Sequence, residues 1–192
     1  MNKEKFQTFL TVNKDVIRKI RDRAAHLHDI EVNQKYGDKP YSYHLEMVAY
    51  YTMDYGHHVC KSEEAIIPMV FGAFFHDAIE DARVTYNDVL KIANEFMSKE
   101  QALLATEIVY ALTDEKGRTR AERGSDKHYA DIRNQIYAPF VKWCDRYANT
   151  KYSIDTKTRM AEVYKKEMPI FLEKLGGDKY IGKELYDLIL KL

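Results

Sequence analysis

Phe71-Gly72-Ala73-Phe74-Phe75-His76-Asp77-Ala78-Ile79-Glu80-Asp81 runs an apolar stretch straight into one imidazole and three carboxylates. The apolar half reads as the end of a buried helix. If the polar half continues as helix, Glu80 lies four residues after His76 and three after Asp77, and Asp81 lies four after Asp77. Side chains at those offsets share one helix face. Three carboxylates beside a core repel one another unless a cation or basic groups compensate. An imidazole with spare carboxylates is a donor set for a divalent cation and for proton transfer.

Outward from this stretch the pattern stays helical. Apolar residues recur at three- and four-residue spacing, and strand-like alternation is scarce. Phe6, Leu10, Val16 and Ile20 predict one first helix running toward Ala25, and residues 33–40 a loop. Further helices are expected over 42–55, 62–75, 86–97 and 99–112, the last two capped by Thr85 and Ser98. Residues 113–128 are polar and mostly basic. A long helix resumes near Asp131, carrying Ile136, Phe140, Val141 and Cys144, and helices over 155–175 and 178–192 flank Gly176-Gly177. The expectation is an all-α, single-domain chain over 1–192, with its motifs between about 20 and 155.

Composition narrows the function classes. Hydrophobic residues are 45% and charged residues 31%, as in ordinary globular proteins, and 192 residues suffice for a sizeable core. Lys+Arg and Asp+Glu are both 30, so nothing general argues for nucleic acid. No apolar run approaches the roughly 18 residues of a membrane span, and none follows Met1-Asn2-Lys3-Glu4-Lys5 as a secretory signal would. Cys60 and Cys144 make neither a disulfide framework nor a thiolate zinc site, and Cys144 reads as a small core residue. The chain reads as cytoplasmic, with its oligomeric state open.

A metal site needs donors from other helices. His44 falls in the first turn of the 42–55 helix, and Asp145 follows an apolar stripe on the long later helix. His44, His76, Asp77 and Asp145 together offer two imidazoles and two carboxylates, suited to Mn²⁺, Fe²⁺ or Zn²⁺ with a position open for water. The competing reading has partly buried histidines and an Asp145–Arg146 ion pair. For Glu80 and Asp81 it is a charge pair opening the next helix.

Four blocks carry a resemblance. Residues 37–44 (GDKPYSYH), 76–81 (HDAIED), 112–116 (LTDEK) and 142–149 (KWCDRYAN) are similar, in order, to blocks of the RelA/SpoT-type (p)ppGpp hydrolase domain of the HD superfamily of metal-dependent phosphohydrolases. Small stand-alone alarmone hydrolases have a similar length. The resemblance implies an all-helical HD fold and one metal, commonly Mn²⁺, on His44, His76, Asp77 and Asp145. It implies that Glu80 and Asp81 position or deprotonate the attacking water, and that Asn149 helps to hold the substrate.

The implied substrate is a small nucleotide, with no nucleic acid or membrane partner. Lys116, Arg118, Arg120, Arg123, Lys127 and His128 could clamp its pyrophosphate, or the segment is a solvated loop. Lys35 and Lys151 are further candidates by position. The family places an Arg-Lys pair before the glycine of the first block. This chain has Gln34-Lys35-Tyr36, so the purine-stacking arginine is either missing or replaced by Tyr36. That departure keeps another nucleotide open as substrate: a dNTP, a nucleoside monophosphate or NADPH. A third reading is a nucleotide-binding module without turnover. Among 15 tyrosines, Tyr41 and Tyr43 flank His44 as pocket candidates, whereas Tyr50, Tyr51 and Tyr55 are expected to pack between helices.

Overall fold

The computed structural model describes residues 1–114, 118, 119, 122 and 124–192. Its centre is helix α4, Ile66–Phe75, in which all ten residues are buried. A helix apolar all round must be enclosed. It is enclosed by α2 (Lys14–Ala25), α3 (Ser42–Tyr55), α7 (Lys99–Leu112) and α9 (Ala138–Asp155). Phe71 and Phe75 stack within α4 at 4.2 Å, and each such buried side chain contributes about 1.5–3 kcal/mol. Gly72 permits a close crossing: a Cβ there would sit 2.6 Å from Ile108 Cγ2 of α7.

The remaining helices are α1 (Lys3–Val12), α5 (Ala78–Asp81), α6 (Tyr86–Ala93), α8 (Asp126–Asn134), α10 (Met160–Lys174), α11 (Asp178–Ile181) and α12 (Lys183–Ile189). The expected caps are present. Thr85 and Ser98 each close a reciprocal capping box, with Asp88 and with Gln101. The all-α expectation holds, with one two-residue hairpin, β1 (Lys35–Tyr36) and β2 (Lys39–Pro40), inside the expected loop. Gly37 turns it with φ 63°. No helix among the described residues is long and apolar enough to cross a membrane.

Several expected helices are divided. The first breaks at Asn13, whose side-chain amide donates to Phe9 O at 2.9 Å and competes with the helical ladder. The helix expected from Asp131 ends at Asn134 because Pro139 has no N–H for the Gln135 carbonyl and is accommodated only in the first turn of α9. Lys157 at φ 54° and Gly182 at φ 84° interrupt the C-terminal helices. The 62–75 helix begins as a 3₁₀ turn, Glu63–Ala65, and the 86–97 helix stops at Ala93. Cys60 and Cys144 are both buried and unpaired, as core residues should be.

Candidate metal centre and active site

The decisive correction lies in the opening stretch. Residues 76–81 are not one helix. α4 is capped by His76, Asp77 leaves helical geometry at φ −99°, ψ 3°, and α5 restarts at Ala78. The cause is local. His76 Nδ1 donates to Ala73 O at 2.9 Å, competing for the carbonyl that a continuing helix would offer to the Asp77 amide. The break separates the donors that one helical face would have stacked.

His76 and Asp77 then meet residues from two other helices. His44 stands in the first turn of α3 and Asp145 midway along α9. His76 Nε2 is 2.9 Å from Asp77 Oδ2, 3.2 Å from His44 Nε2 and 3.8 Å from Asp145 Oδ1. His44 Nε2 is 3.4 Å from Asp145 Oδ1 and 3.7 Å from Asp77 Oδ2. Both imidazole Nε2 atoms thus lie within 3.8 Å of both carboxylates. His44, His76 and Asp145 also stand out as a metal-capable cluster on geometry alone. The bond to Ala73 O holds a hydrogen on His76 Nδ1 and aims Nε2 at the cluster.

Electrostatics in the cluster are severe. Burial lowers the proton affinity of His76, but Asp77 and Asp145 outweigh it and push its pKa up to about 9. Burial would raise Asp77 and Asp145. His76, His44 and, for Asp145, Lys142 instead hold both well below the ordinary carboxylate range. Lys142 is the cationic counterweight, 3.6 Å from Asp145 and 3.9 Å from Asp114. The expected alternative, an Asp145–Arg146 pair, is absent among the described contacts. Arg146 bonds Glu167 at 2.8 Å and lies over Phe171.

Glu80 and Asp81 both stand in the first turn of α5, and their side chains turn to different partners. Glu80 accepts from the Asp114 amide at 3.3 Å. Partial burial, then Asp114 and Asp77, raise its pKa. Asp81 Oδ2 accepts from Gln34 Nε2 at 2.8 Å and from the Tyr41 hydroxyl at 3.2 Å. The single Tyr41 hydroxyl hydrogen is shared with Asp77 Oδ2, which is nearer at 2.5 Å, and so links the metal cluster to the acidic pair.

Tyr36 and Asn149 meet over the site. The Tyr36 hydroxyl donates to Asn149 Oδ1 at 2.7 Å, and Asn149 Nδ2 donates to Asp145 Oδ1 at 2.5 Å. The Tyr36 ring stacks on His44 at 4.9 Å. Beside Asp145 and Asn149 opens a cleft of about 480 Å³, lined by His128, Lys142, Arg146, Tyr164 and Lys174 among others. Lys35 is exposed on β1 and Lys151 half-buried on α9, neither joined to the cluster. Lys116, Arg120 and Arg123 lie outside the described residues, while Arg118 is exposed. Tyr51 and Tyr55 pack against Tyr147 as expected, but Tyr50 is 59% exposed.

Sequence reading missed His28, fully buried in a π-helical turn, His26–Glu31, and stacked on Tyr41 at 5.0 Å. It also treated His128 only as a surface cation, whereas His128 is buried 3.3 Å from Asp114. Two of the site's buried histidines thus lie outside the four motif blocks, and a lone histidine in a polar segment carries no spacing signal.

No family model and no curated protein match this sequence. A solved structure does match in shape: a metazoan ortholog of SpoT that hydrolyzes ppGpp and plays a role in starvation responses. The match has a TM-score of 0.64 at 17% identity and covers 92% of each chain. The chain therefore shares the helical fold of this protein.

Proposed function

We propose that the chain is a metal-dependent phosphohydrolase that removes pyrophosphate from the 3′ position of (p)ppGpp. The observation that carries the reading is the contact of the His44 and His76 imidazoles with each other and with the Asp77 and Asp145 carboxylates at 2.9–3.8 Å, with Asp81 and Glu80 alongside. The fold likeness to a ppGpp-hydrolyzing protein supports it.

The donor set of two imidazoles and two carboxylates suits Mn²⁺, with Fe²⁺ and Zn²⁺ as substitutes. Such an ion would acidify a water molecule and neutralise developing phosphoryl charge. The chain supplies the rest. Asp81 takes the proton of the attacking water. Glu80, whose proton affinity is raised, orients that water. Asn149 anchors the nucleotide one helical turn beyond Asp145, and Lys142 balances charge at the cleft wall. Lys35, Lys151, Lys116 and Arg123 are the remaining candidate phosphate contacts.

Incubating the Mn²⁺-loaded protein with ppGpp tests this reading. GDP and pyrophosphate are the expected products, and no turnover with any divalent metal would sink it. One observation favours a different nucleotide on the same chemistry: Tyr36 rests on His44 and occupies Asn149. A panel of dNTPs, nucleoside monophosphates and NADPH, assayed for released phosphate, separates the two readings.

A further inference from the structure

Asp81 Oδ2 accepts a hydrogen bond from Gln34 and shares the Tyr41 hydroxyl hydrogen with Asp77 Oδ2, and both Gln34 and Tyr41 rest on one buried imidazole. Gln34 reaches Asp81 through Nε2 at 2.8 Å, while its Oε1 lies 2.7 Å from His28 Nδ1. Tyr41 reaches the same Asp81 oxygen at 3.2 Å, and its ring stacks on His28 at 5.0 Å and 18°. Asp81 Oδ1 takes no hydrogen bond among the described residues.

The proton positions follow from donor and acceptor chemistry. A carboxylate only accepts, so the Gln34 amide nitrogen faces Asp81. Its carbonyl oxygen then faces His28 and only accepts, so His28 Nδ1 carries the hydrogen. His28 Nε2 is left as a bare, buried lone pair, and it has no partner among the described residues. Burial lowers the proton affinity of His28, consistent with a neutral ring.

The backbone on both sides is irregular where these residues stand. His28 sits in the π-helical turn, a widened geometry frequent at functional sites. Gln34 follows Asn33, held at φ 53°, and its amide bonds back to His28 O at 2.8 Å. A left-handed asparagine and a π turn flanking one side chain are local costs that aim it.

We propose that His28 and Gln34 are positioning residues: with Tyr41 they saturate one oxygen of Asp81 and present the other, Oδ1, to the attacking water. This rests on the phosphohydrolase reading of the same site. In the step itself the water O–H bond breaks and its proton moves to Asp81 Oδ1. The freed electron pair forms the new P–O bond. The leaving oxygen departs with the electrons of the broken P–O bond and takes a proton from solvent.

The test combines kinetics with a measurement independent of turnover. Gln34→Leu and His28→Leu should each lower kcat about 10- to 100-fold, with KM and bound Mn²⁺ unchanged. His28→Asn, whose amide nitrogen can replace the Nδ1–H donor, should retain most of the wild-type kcat. Unaltered kcat in Gln34→Leu at full metal content would overturn the proposal. So would His28→Asn matching His28→Leu. Nitrogen-15 NMR of the wild-type imidazoles should show His28 protonated on Nδ1, and an Nε2–H tautomer would refute the relay even if a variant fails to fold. A wild type that hydrolyses no nucleotide defeats the proposed function and leaves the tautomer to decide this inference.

Discussion

His44 Nε2 lies 3.2 Å from His76 Nε2, while His76 uses its other nitrogen to hold the Ala73 carbonyl. Two imidazoles that face each other through the same ring atom, flanked by two carboxylates, form a poor hydrogen-bonding arrangement and a good ligand set. His44 Nδ1 is buried without a partner among the described residues, so this ring is not placed there for its internal hydrogen bonds.

Removing one donor should remove the ion. Asp77→Ala and His76→Ala are expected to lose stoichiometric Mn²⁺ and to reduce turnover to background, with helical circular dichroism retained. Metal content by atomic emission, measured alongside activity, checks this. Full metal content in either variant would count against the ligand assignment.

Ion binding should also stabilise the fold. At a hundredfold excess over Kd the gain is about 2.7 kcal/mol, or roughly 5–10 °C in Tm for a chain of this size. Thermal unfolding with Mn²⁺ and with chelator measures it. Equal Tm values would mean that no folded-state site exists.

The metal-free protein should show a specific pH response. His76, raised to about 9, binds a proton in the folded chain that the unfolded chain releases near 6.5. That contribution is fully present below pH 6.5 and is lost as pH rises through about 9. Asp77 and Asp145 are held below the ordinary carboxylate range and do not titrate in this window. Metal-free stability by urea unfolding should therefore fall between pH 6.5 and 9, while Mn²⁺ affinity rises as the proton leaves. Stability rising over that interval would contradict the charge arrangement.

Much of this was legible in the sequence, for identifiable reasons. Ile66–Phe75 is apolar on every side, so its burial followed from composition alone. Thr85 and Ser98 carried the polar-then-acidic or amide spacing of a capping box. The break at Asp77 was not legible, because it depends on where the His76 ring nitrogen turns. The same holds for Gln34, which meets Asp81 across 47 residues of chain, and for His28 behind it.

Tyr36 should compete with substrate for Asn149. Freeing that amide with Tyr36→Phe relieves a hydrogen bond worth about 0.5–1.5 kcal/mol, a fall in KM of roughly 2- to 13-fold. Steady-state kinetics decide it. A raised KM would instead make the Tyr36 hydroxyl a substrate contact.

Gly72 should tolerate no side chain. Gly72→Ala drives a Cβ to 2.6 Å from Ile108 Cγ2, and overpacking of this kind costs about 1–3 kcal/mol. The double variant with Ile108→Ala should recover part of the loss, as read from a double-mutant cycle in urea. Additive losses would place the strain elsewhere.

The central claim is that one divalent ion on His44, His76, Asp77 and Asp145 supports phosphoester hydrolysis. Titrating Mn²⁺ into the metal-free protein while following nucleotide hydrolysis tests it most directly. Turnover should rise linearly and saturate at one ion per chain, with Asp145→Ala giving neither binding nor turnover. Hydrolysis that persists under chelator, or an ion bound at one equivalent with no nucleotide in the panel hydrolysed, would contradict it.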